Sequence, residues 1–264
     1  MNSAEHELWL TALFNDYLPG IANGILSLAG QPTDPRPWSN FMVMEILVAI
    51  LVILFFTVLR SALSMDKPGK LQHLVEVIYD FLRGQTVEAA GERSMKHLPF
   101  FASLFFFILF CNLIGIIPGF ESPTMFPAVT LGCALVSFVF FNLVGVQASG
   151  LFGYLAHFTG GQKFPLSLLM VPIEIVSTLA RPLSLTIRLY ANMLAGEKVT
   201  LVFLGLTYLV APALFMGLHV FVSFLQAYVF VVLTMMYVGG ANEHHNHDSV
   251  HANEPDADGH RSHH

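Results

Sequence analysis

The chain has 264 residues, is 55% hydrophobic and only 11% charged, and carries a formal net charge of −6 that sits largely in its two ends. A water-soluble domain needs about a quarter of its residues charged to keep its surface solvated, so this composition excludes a soluble globular protein and puts most of the surface against lipid. The acidic balance argues against a nucleic-acid binder. Cys111 and Cys133, both inside apolar runs, act as small hydrophobes and argue against a disulfide framework.

Residues 1–40 are expected to form an outer-side segment. Its first twenty residues carry Glu5, Glu7 and Asp16 and no Lys or Arg, which is not the basic start of a signal peptide. From 41 to 239 the sequence predicts a membrane domain. Five apolar segments reach the roughly 20 helical residues needed to span a bilayer: about 41–59, 99–117, 128–147, 166–195 and 208–238. The last two exceed the hydrocarbon thickness and must tilt, bend or protrude. Between the first two spans, LQHLVEVIYDFLRGQTVEAAG sets Leu71, Leu74, Val75, Ile78, Phe81 and Leu82 at helical spacing. This predicts an amphipathic helix at the membrane interface. Residues 60–97 hold six of the twelve Lys and Arg residues, which places that stretch in the cytoplasm, the N-terminus outside and the C-terminus inside. Residues 240–264 are polar, acidic and rich in irregularly spaced histidines, so a disordered cytoplasmic tail is expected there. The fold class read from the sequence is an all-α integral membrane protein with five membrane-crossing helices and one amphipathic interfacial helix. Its two long, tilted C-terminal helices form a hairpin, and the ion-translocating helices cover about 165–239.

The chemistry lies in ionisable residues that hydropathy does not excuse. One charge near the bilayer centre costs about 3 kcal/mol on insertion scales, so such groups must be paired, hydrated or turned towards another protein. Glu174, Arg181 and Arg188 recur every seven residues, about 20° short of two full turns, and so share one helix face. Asn192 lies one turn beyond Arg188, with Glu197 further on. In the last span His219 and Gln226 are also seven apart, with Ser223 between them. An antiparallel hairpin turning near Thr207 and Tyr208 sets Glu197 level with His219, Asn192 with Ser223, and Arg188 with Gln226. Polar company then extends about 13 Å from Arg188 towards the outer face, and Glu174 lies about 21 Å away towards the cytoplasm. A guanidinium stays protonated, so Arg188 cannot relay a proton. It can attract a carboxylate and separate two hydrophilic half-paths. Arg181, followed by Pro182, is read as a structural arginine near a kink.

These residues carry a resemblance. ARPLSLTIRLYANMLAGE (180–197), HVFVSFLQAYVFVVLTMMYV (219–238), and CNLIGIIPG followed by PTMFPAVTLG (111–132) resemble the a subunit of F-type ATP synthases over about residues 41–238. The resemblance implies a stator beside a rotating ring of c subunits, in which Arg188 matches the family's indispensable arginine. Asn192, Glu197, His219 and Gln226 match positions of the outer half-channel, Glu174 an acidic position of the cytoplasmic one, and Asn112 a polar position in the first hairpin. The sequence departs from the pattern at Gly115, where some relatives carry aspartate, and at Pro127, where many carry a small or polar residue.

The partners implied are the c-subunit ring, the b-subunit peripheral stalk, the other ATP synthase subunits and membrane lipid. The ion is H⁺ or Na⁺, and the setting is a bacterial inner membrane. A secondary cation/proton antiporter or channel, the alternative, would show internal repeats with broken helices, which are not found. Neither a zinc-hydrolase motif nor a phosphate-binding glycine loop occurs, so no catalytic residue, metal or cofactor is expected in this chain.

Overall fold

The computed structural model describes residues 8–28, 30, 32–63, 69–117, 120–158, 166–206 and 210–251. In chain order these form α1 (Trp9–Tyr17), α2 (Pro19–Leu28), α3 (Asn40–Ala62), α4 (Lys70–Ala90), a 3₁₀ turn (Glu92–His97), α5 (Leu98–Ile114), a short 3₁₀ turn (Pro123–Met125), α6 (Pro127–Phe158), α7 (Leu166–Leu206) and α8 (Val210–His251). Among the described residues four stretches are long and apolar enough to cross a bilayer: Asn40–Ser61, Glu92–Ile114, Pro127–Gln147 and Leu214–Gly240. They coincide with four of the five expected spans. The remaining one, 166–195, lies in the 41-residue α7. That helix has the length to cross a bilayer.

Two short N-terminal helices were not foreseen. The Asn15 side chain ties them to the start of α3, donating to the Trp38 carbonyl at 3.2 Å and accepting from the Trp38 amide at 3.0 Å. The Trp38 indole donates to the Leu18 carbonyl at 2.9 Å and stands edge-on to Phe14. Nine or ten residues form a marginal helix alone, so these side-chain ties supply what local propensity does not.

The core is aromatic. Phe101, Phe105, Phe106 and Ile108 of α5 are buried against Phe141 of α6 and Phe230 of α8, and Phe100 stacks on Phe140 at 3.7 Å. The helix expected at the interface is present as α4, but its expected stripe is divided. Leu71, Leu74 and Val77 are exposed, whereas Leu82, Thr86 and Ala90 are buried where α4 packs along α8. Tyr228 of α8 donates its hydroxyl to Gln85 Oε1 at 2.8 Å. Near the end of α4, Gly239 of α8 approaches so closely that an added methyl group would lie 2.6 Å from the Ala89 carbonyl oxygen and 2.8 Å from the Ala90 Cα. Glycine is what permits this backbone contact.

Two helix boundaries differ from expectation. α8 continues as helix to His251, past Gly239 and Gly240, where disorder was expected to begin. The polar, alanine-containing stretch there has no proline to stop it. Residues 252–264 of the expected tail lie outside the described residues. In α6 the helix breaks at Gly150, whose φ of +72° is left-handed and natural to glycine, three residues past the expected span end. α7 runs as one helix through Pro172 and Pro182 and packs against α8. The expected turn at Thr207 and Tyr208 lies outside the described residues.

Candidate ion-translocation site

α7 positions the site by presenting two faces. Leu185, Leu189 and Met193, four residues apart, are buried against the bundle. Leu183, Ile187 and Ala191 on the opposite side are exposed, and so are Arg188, Asn192 and Ala195 on the flank between. Arg188 has no hydrogen bond, ion pair or ring contact among the described residues. The one permanent cation that the sequence places mid-path thus points outward from the isolated chain.

Asn192 and Gln226 meet directly: the Asn192 amide donates to Gln226 Oε1 at 2.8 Å. This pairing is one turn removed from the expected register, in which Gln226 stood level with Arg188. Side chains on a helix lean towards its N-terminus. In an antiparallel pair Gln226 therefore leans up towards Asn192 while Asn192 leans down to meet it. The register expects Glu197 level with His219, and the imidazole lies against the adjacent Gly196. An added methyl group on Gly196 would meet His219 Nδ1 at 3.1 Å and Cε1 at 3.3 Å. A side chain at 196 would make the imidazole give way by a few tenths of an ångström, so glycine lets it lie this close to α7. Asn192, Gly196, Thr200, Phe215, His219 and Val222 border a cleft of about 200 Å³.

Three buried polar atoms in this neighbourhood, Glu197 Oε2, His219 Nε2 and Ser223 Oγ, make no hydrogen bond among the described residues. Buried polar groups are nearly always satisfied, and a cleft this size, though largely apolar in its lining, has room for water beside them. Atoms so disposed can pass a proton along a hydrated line. The Glu197 carboxylate is also within electrostatic reach of Glu121, in the loop between α5 and α6, and of Lys198.

Asn112 is committed at both ends. Its Oδ1 accepts from the Thr124 hydroxyl at 2.7 Å, and its Nδ2 donates to the Ser223 carbonyl at 3.3 Å. Ser122 extends the knot, donating to the Cys111 carbonyl at 2.8 Å and sharing a 2.8 Å hydrogen bond with Thr124. The arrangement pins the α5–α6 loop to α8. It also accounts for the departure at Gly115: a Cβ there would lie 2.9 Å from Ser122 Cβ, so an aspartate does not fit unless the loop moves.

Glu174 falls on α7, and its side chain lies outside the described residues. Arg181, expected on the same face as Arg188, has different surroundings. Its guanidinium carbon sits 5.0 Å from the centre of the Tyr237 ring and 5.9 Å from that of Phe141. Sequence reasoning missed Ser122, Thr124 and Gly196 as parts of the site. The hydroxyls lie within the quoted PTMFPAVTLG region or beside it, but their link to α8 spans about a hundred residues and has no local signal.

The chain as a whole is similar to known proteins. Residues 42–239 match the family model described as ATP synthase A chain. The chain is 56% identical to ATP synthase subunit a of Solibacter usitatus over 232 residues, which is 88% of this chain and 99% of that protein. It is 48% identical to ATP synthase subunit a of Koribacter versatilis over 241 residues, covering 90% and 98%. A third relative, ATP synthase subunit a of a Sulfurihydrogenibium species, is 38% identical over 206 residues, covering 78% and 98%. With an exposed arginine between polar neighbours on α7, and a match spanning α3 to the Gly239 contact, this chain belongs to the ATP synthase A chain family.

Proposed function

We propose that this chain is the ion-conducting, non-catalytic stator subunit of a rotary ATP synthase in a bacterial inner membrane, with Arg188 separating two offset half-channels. The observation that carries the reading is the outward, unpaired guanidinium of Arg188. Such a charge in apolar surroundings calls for an external carboxylate, and a ring of c subunits supplies one per step. On the outer side, Glu197, His219, Ser223, Gln226 and Asn192 form the path; Glu174 serves the cytoplasmic side. A ring carboxylate arriving opposite Arg188 is held ionised and gives up its proton. On leaving Arg188 the emptied carboxylate takes a proton from the other half-path and carries it through nearly a full turn before the next release. Moving one charge through 100 mV yields about 2.3 kcal/mol, so several ions must be summed per ATP, which a rotor does.

In this reading α7 is a fifth membrane-crossing helix and forms a hairpin with α8. The N-terminus is outside and the C-terminus cytoplasmic, and a b-subunit stalk holds the chain against rotation. Mild-detergent purification of the chain should bring down a c oligomer and a peripheral stalk; recovery of the chain alone from intact membranes counts against the assignment. Replacing Glu197 by Gln together with His219 by Ala should lower ion flux through the membrane sector by at least about tenfold, the lower range for loss of positioned proton-transfer groups, with the complex still assembled. Unchanged flux in that double variant removes both residues from the path.

A further inference from the structure

Arg188 has no partner of its own, yet α7 is gripped on either side of it. One turn towards the outer face, Asn192 bonds Gln226 of α8 at 2.8 Å. Two turns towards the other end, Arg181 is seated over Tyr237 of α8 at 5.0 Å and Phe141 of α6 at 5.9 Å. The two rings are themselves in contact, with centroids 5.7 Å apart, and Phe141 is buried. Val238, next to Tyr237, and Met235, two residues before it, are also buried, whereas Met236 is exposed. The seat therefore lies at the edge of the packed core, against which the half-buried Tyr237 packs. Arg181 has no carboxylate partner among the described residues, so the aromatic faces supply its specific attraction. A planar guanidinium suits such a surface better than an ammonium does.

We infer that Arg181, through the Tyr237 and Phe141 rings, is a positioning residue that fixes the roll and height of α7 and so the place where Arg188 is presented. Two contacts on different sides of a point on a helix determine its rotation, whereas one leaves it free to turn about that contact. Asn192–Gln226 supplies one and the arginine–ring seat the other. With the seat lost, α7 can roll, the Arg188 guanidinium leaves its line, and the barrier between the half-paths becomes leaky. The inference rests on the reading of Arg188 given above.

The test uses the complete, membrane-reconstituted complex, with ATP-driven ion pumping and ATP hydrolysis each measured per assembled complex. Tyr237→Phe keeps the ring and should stay within about twofold of the parent. Tyr237→Leu and Arg181→Ala should each lower the ratio of pumping to hydrolysis by about fivefold, as expected for loss of a half-buried cation–π contact. Arg181→Lys should fall between. Phe141→Leu, which removes the more distant ring, should shift the ratio in the same direction by less, and together with Arg181→Lys it decides the matter if Tyr237→Leu does not assemble. A pumping ratio in Tyr237→Leu equal to that of Tyr237→Phe overturns the inference. So does a loss confined to the amount of assembled complex. Arg188→Ala in the same vesicles separates the two readings: if it abolishes pumping while the ring variants do nothing, only the positioning role fails, and if it pumps normally, the underlying assignment fails.

Discussion

Arg188→Ala in an otherwise complete ATP synthase is expected to abolish ATP synthesis driven by an imposed ion gradient. On the proposed function, a carboxylate carried to that point loses the fixed cation that holds it ionised. Leaving one member of a desolvated pair without its partner costs about 3–5 kcal/mol, which is a rate loss on the order of a hundredfold to several thousandfold. Arg188→Lys should fail almost as completely. An ammonium can shed its proton when desolvated and lacks the flat fork that grips a carboxylate with two parallel bonds. The measurement is ATP formed by vesicles under an acid–base jump, normalised to the amount of assembled complex. Synthesis retained by either variant at more than a few per cent would contradict the role assigned to this side chain.

The second large effect concerns stability. Gly239→Val should weaken the joint between α8 and α4, because the new side chain has to displace backbone. The nearest atoms, the Ala89 carbonyl oxygen and the Ala90 Cα, lie 2.6 Å and 2.8 Å from the position of an added Cβ. Overpacking of this kind costs about 1–3 kcal/mol, and more where only main chain can yield. Gly84→Ala is the control. Gly84 lies mid-way along α4 with open space around its Cα, and alanine there favours the helix by about 1 kcal/mol. Thermal denaturation of the purified complex, followed through release of this subunit, should show Gly239→Val falling apart first and Gly84→Ala holding at least as long as the parent. Equal behaviour of the two would show that the α4–α8 contact does not matter to assembly.

Apolar length was legible in the sequence, and polar geometry only in part. The spans that became α3, α5, the first part of α6, and α8 announce themselves because lipid demands long uninterrupted apolar helices. α7 was legible for the opposite reason: Glu174, Arg181 and Arg188 interrupt an otherwise apolar stretch. α1 and α2 were not legible, because they depend on Asn15 reaching Trp38 across the fold. The division of α4 could not be read either, since a side chain that faces lipid and one that faces another helix obey the same hydropathy. Leu74 and Leu82 look alike in sequence and differ only in what lies opposite.

Within the site, heptad spacing put Arg181 and Arg188 on a common face, and the structure gives them unlike surroundings. A shared face fixes direction relative to one axis. It does not fix what the face meets when a 41-residue helix crosses its neighbours. The hairpin register expects Glu197 level with His219, whose ring lies against the adjacent Gly196. It also expects Gln226 level with Arg188, whereas Gln226 bonds Asn192 one turn away. It was drawn between Cα positions, whereas long amides reach along the axis. Gly196 was overlooked because its contribution is the absence of a side chain.

The bare, outward-pointing guanidinium of Arg188 also bears on how the machine is built. Until a rotor is alongside, a newly made copy must either drag water and headgroups inward around that charge or leave the region poorly seated, at about 3 kcal/mol on insertion scales. The penalty vanishes on docking. Biogenesis thereby acquires a direction: the oligomer that supplies the carboxylates is best completed first, and unmatched copies of this polypeptide are the ones exposed to proteolytic clearance.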